Sequence, residues 1–400
     1  MPLLSLWKSD PETVDKFTIQ QIVSFAGDGR LIDESECSSE LRSYLSGIKT
    51  EKIAKYIDFC LSEQFDKSGS ILQDLVNELG RRLDYVAENG LYSGRKNAIG
   101  NDGLWLSPEN HAIVIEVKTT DAYRIPLDVI ATYRLKLISA EKIDEKSPIL
   151  IVVGRQDTGE LEAQVRGSRH AWDIRLISVE ALIKLVNIKE NSMEAETGRK
   201  IRSVLVPVEY TRFDSLVDVV FAAASDAQEV ESVIKPENSV KNKSIETQSM
   251  VVSNSNDIQS VRESIVSAFE YKMKSSLIRK SRAMYWSADH STRLVCAVSK
   301  RYDSGEAYWY AFHPAWRAFL EEGNLGVFVL GCLDLKRSFA LPIEVLVDVL
   351  PSLNVTERQD SMYWHVKLDF NNLGEVCLNV PKASPINLES YSLLLQKDAS

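Results

Sequence analysis

The sequence predicts an α/β domain, a mixed sheet flanked by helices, followed by a separate α+β module. Three observations predict it. Apolar runs of strand length alternate with amphipathic helical stretches between residue 68 and about 190. A segment without aromatic residues, 226–258, rich in Ser, Asn, Gln, Glu and Lys, interrupts that pattern and has the composition of a flexible linker. Beyond it, aromatic-rich strand patterns surround two helical stretches.

A chain of 400 residues suits two hydrophobic cores better than one. Its 44% apolar and 26% charged residues are ordinary for globular proteins. There is no apolar run of about 18 residues, and the opening MPLLSLWKSDPE lacks the cationic flank and apolar core of a signal peptide. A cytoplasmic protein without membrane contact is therefore expected. The five scattered cysteines, Cys37, Cys60, Cys296, Cys332 and Cys377, form no CxxC pair, so neither a disulfide framework nor a zinc site is indicated. The formal net charge of −10 excludes coating nucleic acid by bulk positive charge, but a carboxylate metal site with a local basic stripe remains compatible with it.

Residues 1–67 predict a helical lead-in, from the helical spacing in TVDKFTIQQIVSFAG and EKIAKYIDFCLSEQF. The domain of interest spans 68–225. Its first helix is SILQDLVNELGRRL, with Ile71, Leu72, Leu75, Leu79 and Leu83 on one side. A hairpin follows, its strands around Leu104–Leu106 and Ile113–Val117 joined through Ser107, Pro108, Glu109 and Asn110. PLDVIATYRLKLISAEKI then predicts a helix, PILIVVGRQD a buried strand, TGELEAQVRGSRHAWD a helix, and IRLISVEALIKLV a strand and a helix. In the second domain, 259–400, a helix over Val261–Ile278 precedes strands in LVCAVSKRY and AYWYAF. Pro314 opens a helix that ends near Gly323, and VFVLGCLD, YWHVKLDF and EVCLNV are further strands.

Chemistry concentrates in the hairpin. Alternation along IVIEVKTT puts Glu116 and Lys118 on one strand face, with Ile115 and Val117 on the other. Asp102, at the start of the neighbouring strand, approaches Glu116 across the hairpin. Two such carboxylates suit Mg²⁺, a hard cation that prefers oxygen ligands, and Lys118 would orient a water or offset charge on the phosphorane.

Gly100-Asn101-Asp102, thirteen residues and then Glu116-Val117-Lys118 resembles the signature of the PD-(D/E)XK nucleases, with Asn101 where the family has Pro. The order helix, hairpin, helix, strand, helix extends the resemblance over residues 68–190. It implies a restriction-endonuclease-like fold and a metal-dependent DNA endonuclease in prokaryotic restriction or anti-phage defence. Asp102 and Glu116 would hold Mg²⁺, with Mn²⁺ able to substitute, and Lys118 would assist catalysis. Glu78, on the helix before the hairpin, matches a position where family members carry a further acidic ligand or supporting residue. Two alternatives are an RNA or single-stranded DNA nuclease and a catalytically silent DNA-binding sensor.

Candidate DNA-backbone contacts are Arg95 and Lys96 before the hairpin and Arg124 after it. In the second domain Lys272, Lys274, Arg279, Lys280 and Arg282 precede Tyr285 and Trp286, a pairing of cations with aromatics that suits backbone tracking and base stacking. Double-stranded DNA is the expected partner, and a homodimer would supply the two sites that a double-strand cut needs.

Overall fold

The computed structural model describes residues 3–63, 65–93, 99–119, 124–154, 159–192, 196–206, 213, 217, 255–301, 308–335, 337–358, 361–381 and 383–394. The chain divides into two compact units, Met1–Ala224 and Ser225–Ser400. The expected linker 226–258 lies outside the described residues up to 254.

The first unit opens with five helices, α1 (Leu3–Ser9), α2 (Pro11–Asp15), α3 (Ile19–Phe25), α4 (Glu36–Ser46) and α5 (Thr50–Ser62). Their starts follow capping chemistry: Asp10 accepts the Thr13 amide, Thr18 and Gln21 form a capping box, and Ser35 accepts the Ser38 amide. Leu41, Tyr44, Ile53 and Ile57 from these helices share one core with Leu72, Leu75 and Leu79 of α6 (Ser68–Arg82) and with Leu182 and Leu185 of α9 (Val179–Asn191).

The sheet of this unit runs in sequence order, β1 (Val86–Asn89), β2 (Gly103–Leu106), β3 (Ala112–Lys118), β4 (Ile149–Val153) and β5 (Ile174–Ser178). The first three strands are antiparallel. β3, β4 and β5 are parallel, so each step needs a crossover, supplied by α7 (Leu127–Ser139) and α8 (Gly159–Arg166). Alternation sorts the side chains into two layers. Ile113, Ile115, Leu150 and Val152 join the core of α6 and α9, whereas Val114, Ile149, Ile151 and Val153 pack with Ile130, Leu137, Leu161 and Val165 of α7 and α8.

The sequence pattern misses β1, whose short edge has half-exposed residues and leaves Val86 open to solvent. The helix expected through residue 173 ends at Arg166.

In the second unit the helix Ser255–Met273 stops at Lys274, which takes a left-handed φ of 52°. Ile278, expected in that helix, lies in β6 (Leu277–Arg279). β7 (Met284–Ser287), β8 (Thr292–Ser299), β10 (Leu325–Cys332), β11 (Arg337–Pro342) and β16 (Ser392–Leu394) complete a six-stranded sheet in the order β16-β11-β10-β8-β7-β6. A further sheet joins β12 (Val355–Arg358), β13 (Ser361–Phe370), β14 (Val376–Asn379) and β15 (Ile386–Asn387), with β9 (Tyr308–Phe312) paired to β13. Pro314 opens the helix Pro314–Glu321. Much of the aromatic content is core: Tyr308, Tyr310, Phe312 and Trp316 are buried. All five cysteines are buried free thiols.

Candidate active site

The hairpin β2–β3 brings Asp102, Glu116 and Lys118 together. Its register pairs Gly103 with Ile115, and one further step sets Asp102 opposite Glu116. The Asp102 backbone N–H donates to Ile115 O at 3.0 Å, and the Val117 N–H donates to Asp102 Oδ2 at 2.7 Å. Glu116 is 6% exposed, and its Oε1 pairs with Lys118 Nζ at 2.5 Å. On each carboxylate one oxygen is therefore tied. Glu116 Oε2 is buried with no hydrogen-bond partner among the described residues, and Asp102 Oδ1 has none there either.

Electrostatics follow from that geometry. Burial first and the Glu116 charge second push Asp102 up to about 7, against the opposing pull of the Val117 amide and Lys118. Burial likewise raises Glu116, with Lys118 working against it. The site holds two acids and one base, so it carries surplus negative charge when both acids ionise. An orphaned carboxylate oxygen beside a second buried carboxylate fits a hard divalent cation. Among the described residues no three His, Cys, Asp or Glu gather as a metal cluster, so such a cation would take these two carboxylates and complete its shell with water or substrate oxygen.

The turn before Asp102 is fixed from several directions. Asn101 is buried and its Nδ2 donates to Gly103 O at 3.0 Å. Gly103 leaves room for α6: a Cβ there would lie 2.2 Å from Asn77 Oδ1. Gly80 does the same for the buried Trp105 ring, 2.4 Å from where its Cβ would stand. Gln73 Nε2 and Asn77 Nδ2 donate to Asp102 O at 2.9 and 3.0 Å, and Trp105 Nε1 donates to Asn77 Oδ1 at 2.9 Å. Sequence reasoning missed Gln73 and Asn77, because the polar side of an amphipathic helix normally faces solvent. Here Gln73, Asp74, Asn77 and Glu78 are all buried.

Glu78 is held elsewhere. It sits one residue beyond Asn77, about 100° around the helix, and pairs with Arg82 Nε at 3.2 Å and Arg81 at 3.6 Å. Arg82 in turn reaches Thr50 and the carbonyls of Leu45 and Ile48. Gln164 makes a reciprocal pair with the Ile125 backbone. Beyond α8, Arg169 and His170 contact Asp128, and Arg175 is buried against the carbonyls of Ala171, Trp172 and Ile174.

Arg95 and Lys96 lie outside the described residues. Arg124 is exposed next to α7. In the second unit Lys272 and Lys274 are exposed at the helix end, while Arg279, Lys280 and Arg282 are half-buried around the β6–β7 turn. Tyr285 is buried. Lys280 lies 4.2 Å over the Trp286 ring, and His290 stacks on that ring at 3.9 Å, so Trp286 already has two partners.

No protein-family model matches the chain, and no curated protein matches it. No described helix is long and apolar enough to cross a membrane.

Proposed function

We propose that the first unit is a Mg²⁺-dependent nuclease of the PD-(D/E)XK type, hydrolysing phosphodiester bonds of DNA in prokaryotic restriction or anti-phage defence. The observation that carries the reading is the Asp102–Glu116 pair, two neighbouring carboxylates, each with one tied and one open oxygen, with Lys118 on the same strand face. The succession α6, hairpin, α7, β4, α8, β5 around a mixed sheet supports the reading.

A bound Mg²⁺ would supply positive charge against the scissile phosphate and make hydroxide available near neutral pH. Asp102 and Glu116 would hold it. Lys118, its Nζ paired with Glu116 and about a quarter of its side chain exposed, would set its charge against that developing on the phosphorane. Aliphatic residues of β3 and β4 back the pair and keep the dielectric low. The exposed Lys272 and Lys274 support a nucleic-acid-recognition role for the second unit.

The test is cleavage of double-stranded DNA, single-stranded DNA and RNA with and without Mg²⁺, by the unmodified protein and by Asp102→Ala, Glu116→Ala and Lys118→Ala. Metal-dependent cutting of duplex DNA that all three substitutions abolish is expected. Cutting unchanged in all three sinks the site, and preference for RNA or single strands reassigns the substrate.

A further inference from the structure

Satisfying the Asp102 carbonyl takes a single donor, and the Gly90 N–H already provides one at 3.0 Å. Two buried carboxamides add to it, Gln73 and Asn77, spaced i, i+4 on one face of α6. Three donors therefore converge on an oxygen with two lone pairs. The Asp102 N–H is bound to Ile115 O, so the backbone polar groups of this residue are anchored on both sides. With its Oδ2 on the Val117 amide, the remaining freedom of Asp102 is slight, and Oδ1 is left open.

We propose that Gln73 and Asn77 are positioning residues, which fix the Asp102 peptide so that its free carboxylate oxygen and that of Glu116 face one divalent cation. The inference rests on the metal-site reading above and adds residues from outside the hairpin to it. The carboxamides touch neither metal nor substrate; they act through the Asp102 backbone. Asn77 also carries the Trp105 indole, which couples the helix to β2, whereas the side chain of Gln73 has one hydrogen bond among the described residues, to Asp102. Preorganisation of this kind matters because a ligand that must first be oriented binds its cation more weakly, typically by 10- to 100-fold when a supporting partner is lost.

The experiment is calorimetric titration of the full chain with Mn²⁺ alone, for the unmodified protein, Gln73→Met, Asn77→Leu and Asp102→Asn, with thermal melting of each metal-free protein. Gln73→Met preserves side-chain length without the donor. The expected result is an Mn²⁺ Kd raised about 10-fold in Gln73→Met with its metal-free melting temperature close to that of the unmodified protein. Asn77→Leu is expected to weaken Mn²⁺ at least as much and also to melt lower, because Trp105 Nε1 loses its acceptor. Where Gln73→Met does not fold, Gln73→Asn, a carboxamide one methylene shorter, provides the same affinity comparison. Asp102-dependent uptake with an unchanged Kd in the Gln73 variant overturns this proposal and leaves the metal site standing. Absence of Asp102-dependent uptake in the unmodified protein overturns both.

Discussion

Two groups of carboxylates in the first unit differ in how their charge is balanced. Behind α6, Glu78, Asp84, Glu109 and Glu190 meet Arg81, Arg82, Lys189 and Arg202, four acids against four bases. Each acid there touches at least one cation, and Glu190 also accepts the Thr50 hydroxyl at 2.6 Å. At the end of the hairpin, Asp102 and Glu116 share Lys118, two acids against one base. A balanced buried network ties helices together, whereas a deficit of positive charge leaves room for a cation from solution. Surplus charge together with an unpartnered carboxylate oxygen distinguishes the candidate site: Glu40 is also buried without a cation among the described residues, but both of its oxygens accept backbone N–H groups, from Leu4 and Gly27.

The largest effects are expected on activity at the unbalanced region. Asp102→Ala, Glu116→Ala and Lys118→Ala should each lower the cleavage rate by about 10²-fold or more, with circular dichroism unchanged. The balanced region should respond oppositely. Arg82→Leu leaves Glu78 and Glu190 buried without their shared partner, so unfolding is expected to become easier by about 3–5 kcal/mol. Denaturant titration checks it, and an Arg82→Leu protein as stable as the original would break the contrast.

A smaller effect separates the regions by pH. Asp102 binds its proton more tightly in the fold, up to about 7, than in the unfolded chain, at 3.8. Its contribution to stability is therefore complete below about pH 4 and is lost as pH rises through 7. Asp102→Asn, neutral throughout, should be more stable than the unmodified metal-free protein at pH 8, by up to about 4 kcal/mol, and should lose that advantage at pH 4. Melting curves at the two pH values decide it; equal stability at pH 8 means that the site is better compensated than its burial indicates. Smallest is the proton count: Mg²⁺ binding at pH 7 should release up to about one proton, measurable as a dependence of calorimetric heat on buffer ionisation enthalpy.

The hairpin and the crossover elements were legible because their signals are local. Alternation placed Glu116 and Lys118 on one face, and turn residues at 107–110 set the pairing that brings Asp102 opposite Glu116. What escaped depended on contacts between distant segments. The pairing of Glu78 with Arg82 and the closure of Gln73 and Asn77 over Asp102 arise because α6 is covered on both sides, by α5 and α9 as well as by the sheet. No periodicity within SILQDLVNELGRRL distinguishes a polar face that meets water from one that meets another strand. β1 escaped for a different reason, being a four-residue edge strand whose half-exposed pattern carries little apolar signal.

The most direct measurement is the anomalous difference map of crystals soaked in Mn²⁺. The account predicts a peak held between the Asp102 and Glu116 carboxylates. Carboxylates too far apart to share one ion, or a peak that leaves the pair untouched, would contradict it.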